Sequence, residues 1–186
     1  MTTNVLLIAG SPTTPSRSSH LLSRVQQILT QRGVRTARLD VRNLPAQAML
    51  HADFSNTELQ AAIAKVTEAD AVVIATPIYK AAYSGALKLF LDVLGQYALA
   101  GKTVLPLATG GSANHMLAID YALRPVLQSL HARHVLAGVY ATDLHVVNSD
   151  GVYTLDVELE RRVQDAADAL FESLPVQRAS RVSAVG

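Results

Sequence analysis

Residues 5–31, VLLIAGSPTTPSRSSHLLSRVQQILTQ, decide the fold. Val5 to Ala9 is a continuous apolar run of strand length, the pattern of a strand buried on both faces. From Ser18 to Gln31 the period changes. Leu21, Leu22, Val25, Ile28 and Leu29 fall on one helical stripe, and Gly33 supplies a stop signal. A buried strand that passes through a loop into an amphipathic helix is the opening of a parallel crossover unit. The connecting loop, Gly10 to Ser19, is rich in hydroxyls. Those of Ser11, Thr13, Ser16 and Ser18, the next helix's unpaired N–H groups and the Arg17 guanidinium can converge on one dianion such as a phosphate. A loop that only caps a helix is the other reading of the same residues.

The unit then repeats. Apolar runs at Val34 to Val41, Ala71 to Thr76, Thr103 to Ala108 and Val135 to Ala141 alternate with helical patterns at Thr57 to Glu68, Ser84 to Leu94, Asn114 to Leu130 and Asp156 to Leu174. Strands alternating with helices predict an α/β fold, a doubly wound five-stranded parallel sheet of the flavodoxin-like order 2-1-3-4-5 with helices on both faces. In that order the ligand crevice lies at the carboxyl ends of strands 1 and 3, which directs attention to residues 10–18, 77–84 and 109–114. Asn43 to Ser55 reads as a long irregular connection. Residues 1–174 are expected to form a single domain, with 175–186 as a flexible tail.

Composition narrows the chemistry. At 186 residues and 49% apolar, the chain should bury roughly 70% of its unfolded surface without a disulfide or metal staple. It contains no cysteine, which removes thiolate metal sites and thiol catalysis and agrees with a cytoplasmic location. The N-terminal segment lacks the basic region and the long apolar stretch of a signal peptide, and no membrane segment is expected. A formal net charge of +1 gives no electrostatic footprint for nucleic acid, and Arg32, Arg35, Arg38 and Arg42 read as a solvated helix end and strand edge. His131 and His134 straddle a helix end and a strand start without carboxylate support, so no metal site is expected.

The first loop has neither the glycine-lysine ending of a Walker A sequence nor the G-x-G-x-x-G of a dinucleotide-binding turn. Two further segments stand where the crevice should be. Pro77 fixes the exit from strand 3, so that Ile78, Tyr79 and Lys80 can show backbone and ring to a flat ligand, unless Tyr79 is only a rim residue. Thr109, Gly110, Gly111 and Ser112 follow strand 4 and permit close backbone approach to a planar ring; a tight turn is the alternative. Lys88 and Asp92 form an i,i+4 surface pair. Pro125, inside the helical pattern that carries Tyr121, predicts a kink or a local change of winding.

Three segments together, GSPTTPSRSS (10–19), ATPIYKAAYSGALK (75–88) and PLATGGSANHMLAIDYALRPVL (106–127), resemble the NADPH-dependent FMN reductases, closest to the reductase component of alkanesulfonate monooxygenase systems. Many relatives carry an arginine near the position of Thr13; this chain has threonine there and keeps Arg17. The resemblance implies that NADPH, or NADH, reduces FMN held as a substrate or loosely bound group. Reduced flavin then passes to a flavin-dependent monooxygenase. It further implies a homodimer or homotetramer, with Tyr121 at a one-residue insertion in its helix near the subunit interface. Hydride transfer between two organic cofactors needs no protein nucleophile, so no catalytic residue is expected. The alternatives are a quinone, azo or metal-ion reductase that keeps its FMN, and a flavodoxin-type electron carrier. Against the carrier stands the pI near 8.1, since such carriers use acidic docking surfaces.

Overall fold

Both faces of every central strand are apolar, and the computed structural model, which describes residues 3–150 and 152–174, covers both faces with helices. In chain order the elements are β1 (Asn4–Ala9), α1 (Arg17–Gln31), β2 (Arg35–Asp40), α2 (Ala46–Leu50), α3 (Thr57–Glu68), β3 (Ala71–Tyr79), β4 (Ala82–Tyr83) and α4 (Gly85–Asp92). They continue with β5 (Thr103–Gly110), α5 (Arg124–Ser129), β6 (His134–Val135), β7 (Val139–Thr142), β8 (Val146–Ser149), β9 (Val152–Leu155) and α6 (Val157–Ser173). Along β1, Leu6 and Ile8 pack with α3 and α4, while Val5, Leu7 and Ala9 pack with α1 and α6. The alternation comes from the two-residue period of a strand and makes two core layers of one sheet.

The parallel order is β2-β1-β3-β5, followed by β6 and β7 on the far side of β5, which is the expected order of strands with one correction. The sheet has seven strands where five were predicted. One addition is β4, a short antiparallel partner of the end of β3 (Ile78↔Tyr83, Tyr79↔Ala82). The other arises because the segment Val135 to Ala141 is broken. β6 pairs with Thr103 and Val104, β7 with Leu107 to Gly110, and the pairing lapses around Pro106, which has no N–H to donate. Gly138 sits in this gap beneath Ile119 and Pro106, so close that a Cβ there would lie 2.9 Å from Ile119 Cδ1.

The Asn114 to Leu130 pattern is also not one helix. It resolves into a short 3₁₀ turn at Ala113–His115, a π-helical turn at Ile119–Leu123 and α5. Pro125 stands in the first turn of α5, where its missing donor costs least, so the change of winding falls just before it. The Asn43 to Ser55 connection contains α2, whose Ala48 and Met49 reach the core. The β8–β9 hairpin lies within residues given no element from sequence, although Asp150-Gly151 between two β-rich runs is its signal. The expected tail, 175–186, lies outside the described residues.

One buried hydroxyl joins the elements that carry the crevice. Ser84 caps α4 by accepting from Leu87 N–H at 3.1 Å, donates from Oγ to the Gly10 carbonyl, and donates its own N–H to Thr76 Oγ1 at 3.0 Å. Replacing it removes a helix cap and leaves a buried carbonyl unpaired. Ser84→Ala is therefore expected to cost about 2 kcal/mol in urea unfolding. A loss below roughly 0.5 kcal/mol would mean that the start of the first loop and the start of α4 are not coupled through this side chain.

Candidate functional site

The carboxyl ends of β1, β3, β5 and β7 meet at one cleft of ≈ 220 Å³. Thr13, Pro15, Ser16 and Arg17 line it from the loop after β1. Pro77, Ile78 and Tyr79 form a second wall and Thr109, Gly110 and Gly111 a third. Asp143, after β7, and Tyr153, on β9, complete the lining.

Ser16 is the N-cap of α1, accepting from Ser19 N–H at 3.5 Å, and with Arg17, the first residue of that helix, it lines the cleft, so the α1 N-terminus lies at the site. Arg17 is steered by the hairpin side. Its Nε donates to the Val146 carbonyl at 3.2 Å and lies 3.4 Å from Asp143 Oδ1, with the guanidinium 6.0 Å from the Tyr153 ring centre. The anionic end of a ligand would thus find one oriented cation, two hydroxyls and a helix N-terminus.

The opposite end is flat and mostly backbone. A Cβ on Gly111 would have no neighbour within 4 Å, whereas one on Gly110 would collide with the Tyr140 hydroxyl. Tyr140 braces that wall by donating its O–H to the Ser112 carbonyl at 2.5 Å. Burial, and after it the Asp143 charge, hold the Tyr140 phenol above its ordinary range, so it remains a donor at neutral pH. Tyr79 stands half exposed at the cleft rim, and Lys80 and Ala81 follow with positive φ values of 50° and 63°.

Of the residues selected from sequence, Thr13, Ser16, Arg17, Pro77, Ile78, Tyr79, Thr109, Gly110 and Gly111 are brought together on the cleft wall. Ser11, Ser18, Lys80 and Ser112 are not part of its lining. Ser11 is buried and braces the loop through Thr13, accepting its N–H at 3.2 Å, and Ser18 is buried with its Oγ 3.0 Å from Ser16 Oγ. Ser112 caps the 3₁₀ turn through Asn114 N–H at 3.2 Å. Tyr121 is 79% exposed on the π-helical turn, beside exposed Met116 and Leu117.

Pro15, Asp143 and Tyr153 were missed from sequence. Asp143 had a signal: the carboxyl-edge rule that selected the loops after strands 1, 3 and 4 applies equally to the loop after the fifth. Tyr153 had none, because its place depends on a hairpin folding back over Arg17.

A family model described as NADPH-dependent FMN reductase matches residues 3–145. An FMN reductase (NADPH) of Pseudomonas putida is 45% identical over 172 residues, spanning 91% of this chain and 87% of the relative. An FMN reductase (NADPH) of Escherichia coli K12 is 42% identical over 170 residues, spanning 91% of this chain and 89% of the relative. Among solved structures, an NADH:FMN oxidoreductase in its apo form superposes with a TM-score of 0.84 at 37% identity, covering 95% of this chain and 94% of that one.

Proposed function

Because the chain belongs to the NADPH-dependent FMN reductase family, and is therefore an NAD(P)H:FMN oxidoreductase, we propose that it uses flavin as an exchangeable substrate and releases it reduced to a partner monooxygenase. The observation that carries the reading is the cleft in which a cationic, hydroxyl-lined end faces a flat backbone end. The donor set fits FMN. Arg17, Thr13, Ser16 and the α1 N-terminus match a phosphate, and the open approach over Gly111 suits a planar ring against Pro77, Ile78 and Tyr79. In this reading Ser11 and Ser18 shape the phosphate loop from behind, while Lys80 and Ser112 shape the ring loops.

When bound, FMN supplies the hydride-accepting ring. The protein's share is position and polarity. Arg17 and the loop hydroxyls would hold the phosphate, and Pro77 to Tyr79 and Thr109 to Gly111 would line the place of the ring. At ≈ 220 Å³ the cleft is smaller than the roughly 300 to 1,000 Å³ of pockets that bury most of a ligand. A flavin held there would stay partly open to solvent, where a nicotinamide could approach and from which the flavin could exchange.

The proposed hydride donor is NADPH or NADH, and the resemblance of the three segments, with Tyr121 in place, points to organosulfonate sulfur assimilation. Self-association as a dimer or tetramer would cover Tyr121, Met116 and Leu117 on the π-helical face. Among the described residues no helix is long and apolar enough to cross a membrane, and the cysteine-free chain is proposed to work in the cytoplasm.

The test is NADPH oxidation by purified protein as free FMN is added. The rate is expected to rise from near zero and saturate. A rate independent of added FMN, from protein that carries stoichiometric flavin, would instead establish a reductase with retained FMN that acts on a quinone, azo compound or metal ion.

A further inference from the structure

Arg17 presents two edges. Its Nε edge is engaged by the Val146 carbonyl at 3.2 Å and by Asp143 Oδ1 at 3.4 Å; Val146 opens β8, and Asp143 lies in the short segment joining β7 to it. That puts a carboxylate on the lining of the same cleft as the cation proposed to hold the flavin phosphate. A carboxylate in that position opposes a dianion on Arg17, because like charges at short range repel.

We propose that Asp143 is a tuning residue: its carboxylate, 3.4 Å from Arg17 Nε, offsets part of the guanidinium charge and repels a flavin phosphate held at the other edge, which weakens FMN binding and lets the flavin exchange. The inference rests on the reading of Arg17 as the phosphate partner and extends it to the exchange step. Two observations separate tuning from simple support of Arg17. The Val146 carbonyl holds the Nε edge independently of the carboxylate, so removing the Asp143 charge leaves Arg17 oriented. The Asp143 side chain is also 52% exposed, so it is not a buried strut on which the loop depends. Its neighbour His145 anchors that loop instead, accepting from Thr142 N–H at 3.2 Å.

The mechanism makes a signed demand. Neutralising Asp143 should tighten FMN and leave riboflavin, which has no phosphate, unaffected. Asp143→Asn is expected to lower the FMN dissociation constant about fivefold in a fluorescence titration, the size of one screened charge pair near a surface. FMN release in stopped flow should slow by a similar factor, and the gain should shrink as salt is raised. Asp143→Glu keeps the charge and should behave as the parent protein.

An FMN affinity that falls in Asp143→Asn, or that changes equally for riboflavin, overturns the proposal and makes Asp143 a support for the loop. Arg17→Ala separates the two levels of the argument. If it lowers FMN affinity selectively while Asp143→Asn does nothing, tuning fails and the phosphate site stands. If neither variant shifts the ratio of FMN to riboflavin affinity, the phosphate site itself is wrongly located and both fall.

Discussion

Arg17→Ala is expected to weaken FMN binding by about 10- to 100-fold, the worth of a charge-assisted contact to a phosphate, while riboflavin binds as before. The expectation follows from where the side chain is held. Arg17 is the first residue of α1, and on the cleft wall it is the guanidinium flanked by Thr13 and Ser16. Its Nε donates to the Val146 carbonyl, which fixes the plane of the group and leaves the other edge for an oxyanion. Arg17→Lys tests that geometry. An ammonium keeps the charge but cannot serve the Val146 carbonyl and a phosphate with one rigid fork, so it should restore only part of the loss.

Salt supplies an independent check. FMN affinity of the parent protein should fall as ionic strength rises, and this dependence should flatten in Arg17→Ala. The readout is equilibrium binding of two flavins that differ only in the phosphate, so a general loss of folding would appear in both. Equal losses for FMN and riboflavin would remove Arg17 from the phosphate site. The anionic end would then have to rest on Thr13, Ser16 and the helix terminus alone.

How much of this was visible before the fold depends on the range of the interaction that fixes each residue. Val5 to Ala9 followed by the Leu21–Leu29 stripe states a strand and a helix locally, and Gly110-Gly111 marks a strand exit; Pro77, expected to end its strand, instead lies within β3, which runs on to Tyr79 because β4 pairs with its last two residues. The division of the fifth strand into β6 and β7 was not visible. It needs Pro106 on one strand and the Gly138–Ile119 contact between two distant segments. The hydroxyls of the first loop were equivalent in sequence. Only the fold separates Thr13 and Ser16, on the cleft, from Ser11 and Ser18, which face inward and hydrogen-bond within the loop. Asp143 and Tyr153 reach the site through the hairpin, so their roles are tertiary from the start.

Gly10→Ala is expected to destabilise the protein by about 3 kcal/mol, roughly 6 to 12 °C in melting temperature for a chain of this size. Gly10 is where β1 ends and the phosphate loop begins, and it is fixed from both sides. Its N–H donates to the Ala75 carbonyl at 2.7 Å, and its own carbonyl accepts from Ser84 Oγ. A Cβ built there would lie 2.9 Å from Leu87 Cβ and 3.1 Å from the Ala75 carbonyl oxygen. Neither neighbour is the free end of a flexible side chain. Leu87 is fully buried in α4, so relief requires moving α4 or lifting the loop away from β3. Either movement strains the Ser84 bridge and displaces Thr13 to Arg17, so FMN affinity should fall alongside stability. Gly111→Ala is the matched control on the same cleft. Nothing lies within 4 Å of its Cβ position, and its unfolding free energy should stay within about 0.5 kcal/mol of the parent. If both alanine variants unfold like the parent, the close packing of β1, β3 and α4 at Gly10 does not exist in solution. The cleft would then need another foundation than the one that joins its first two walls.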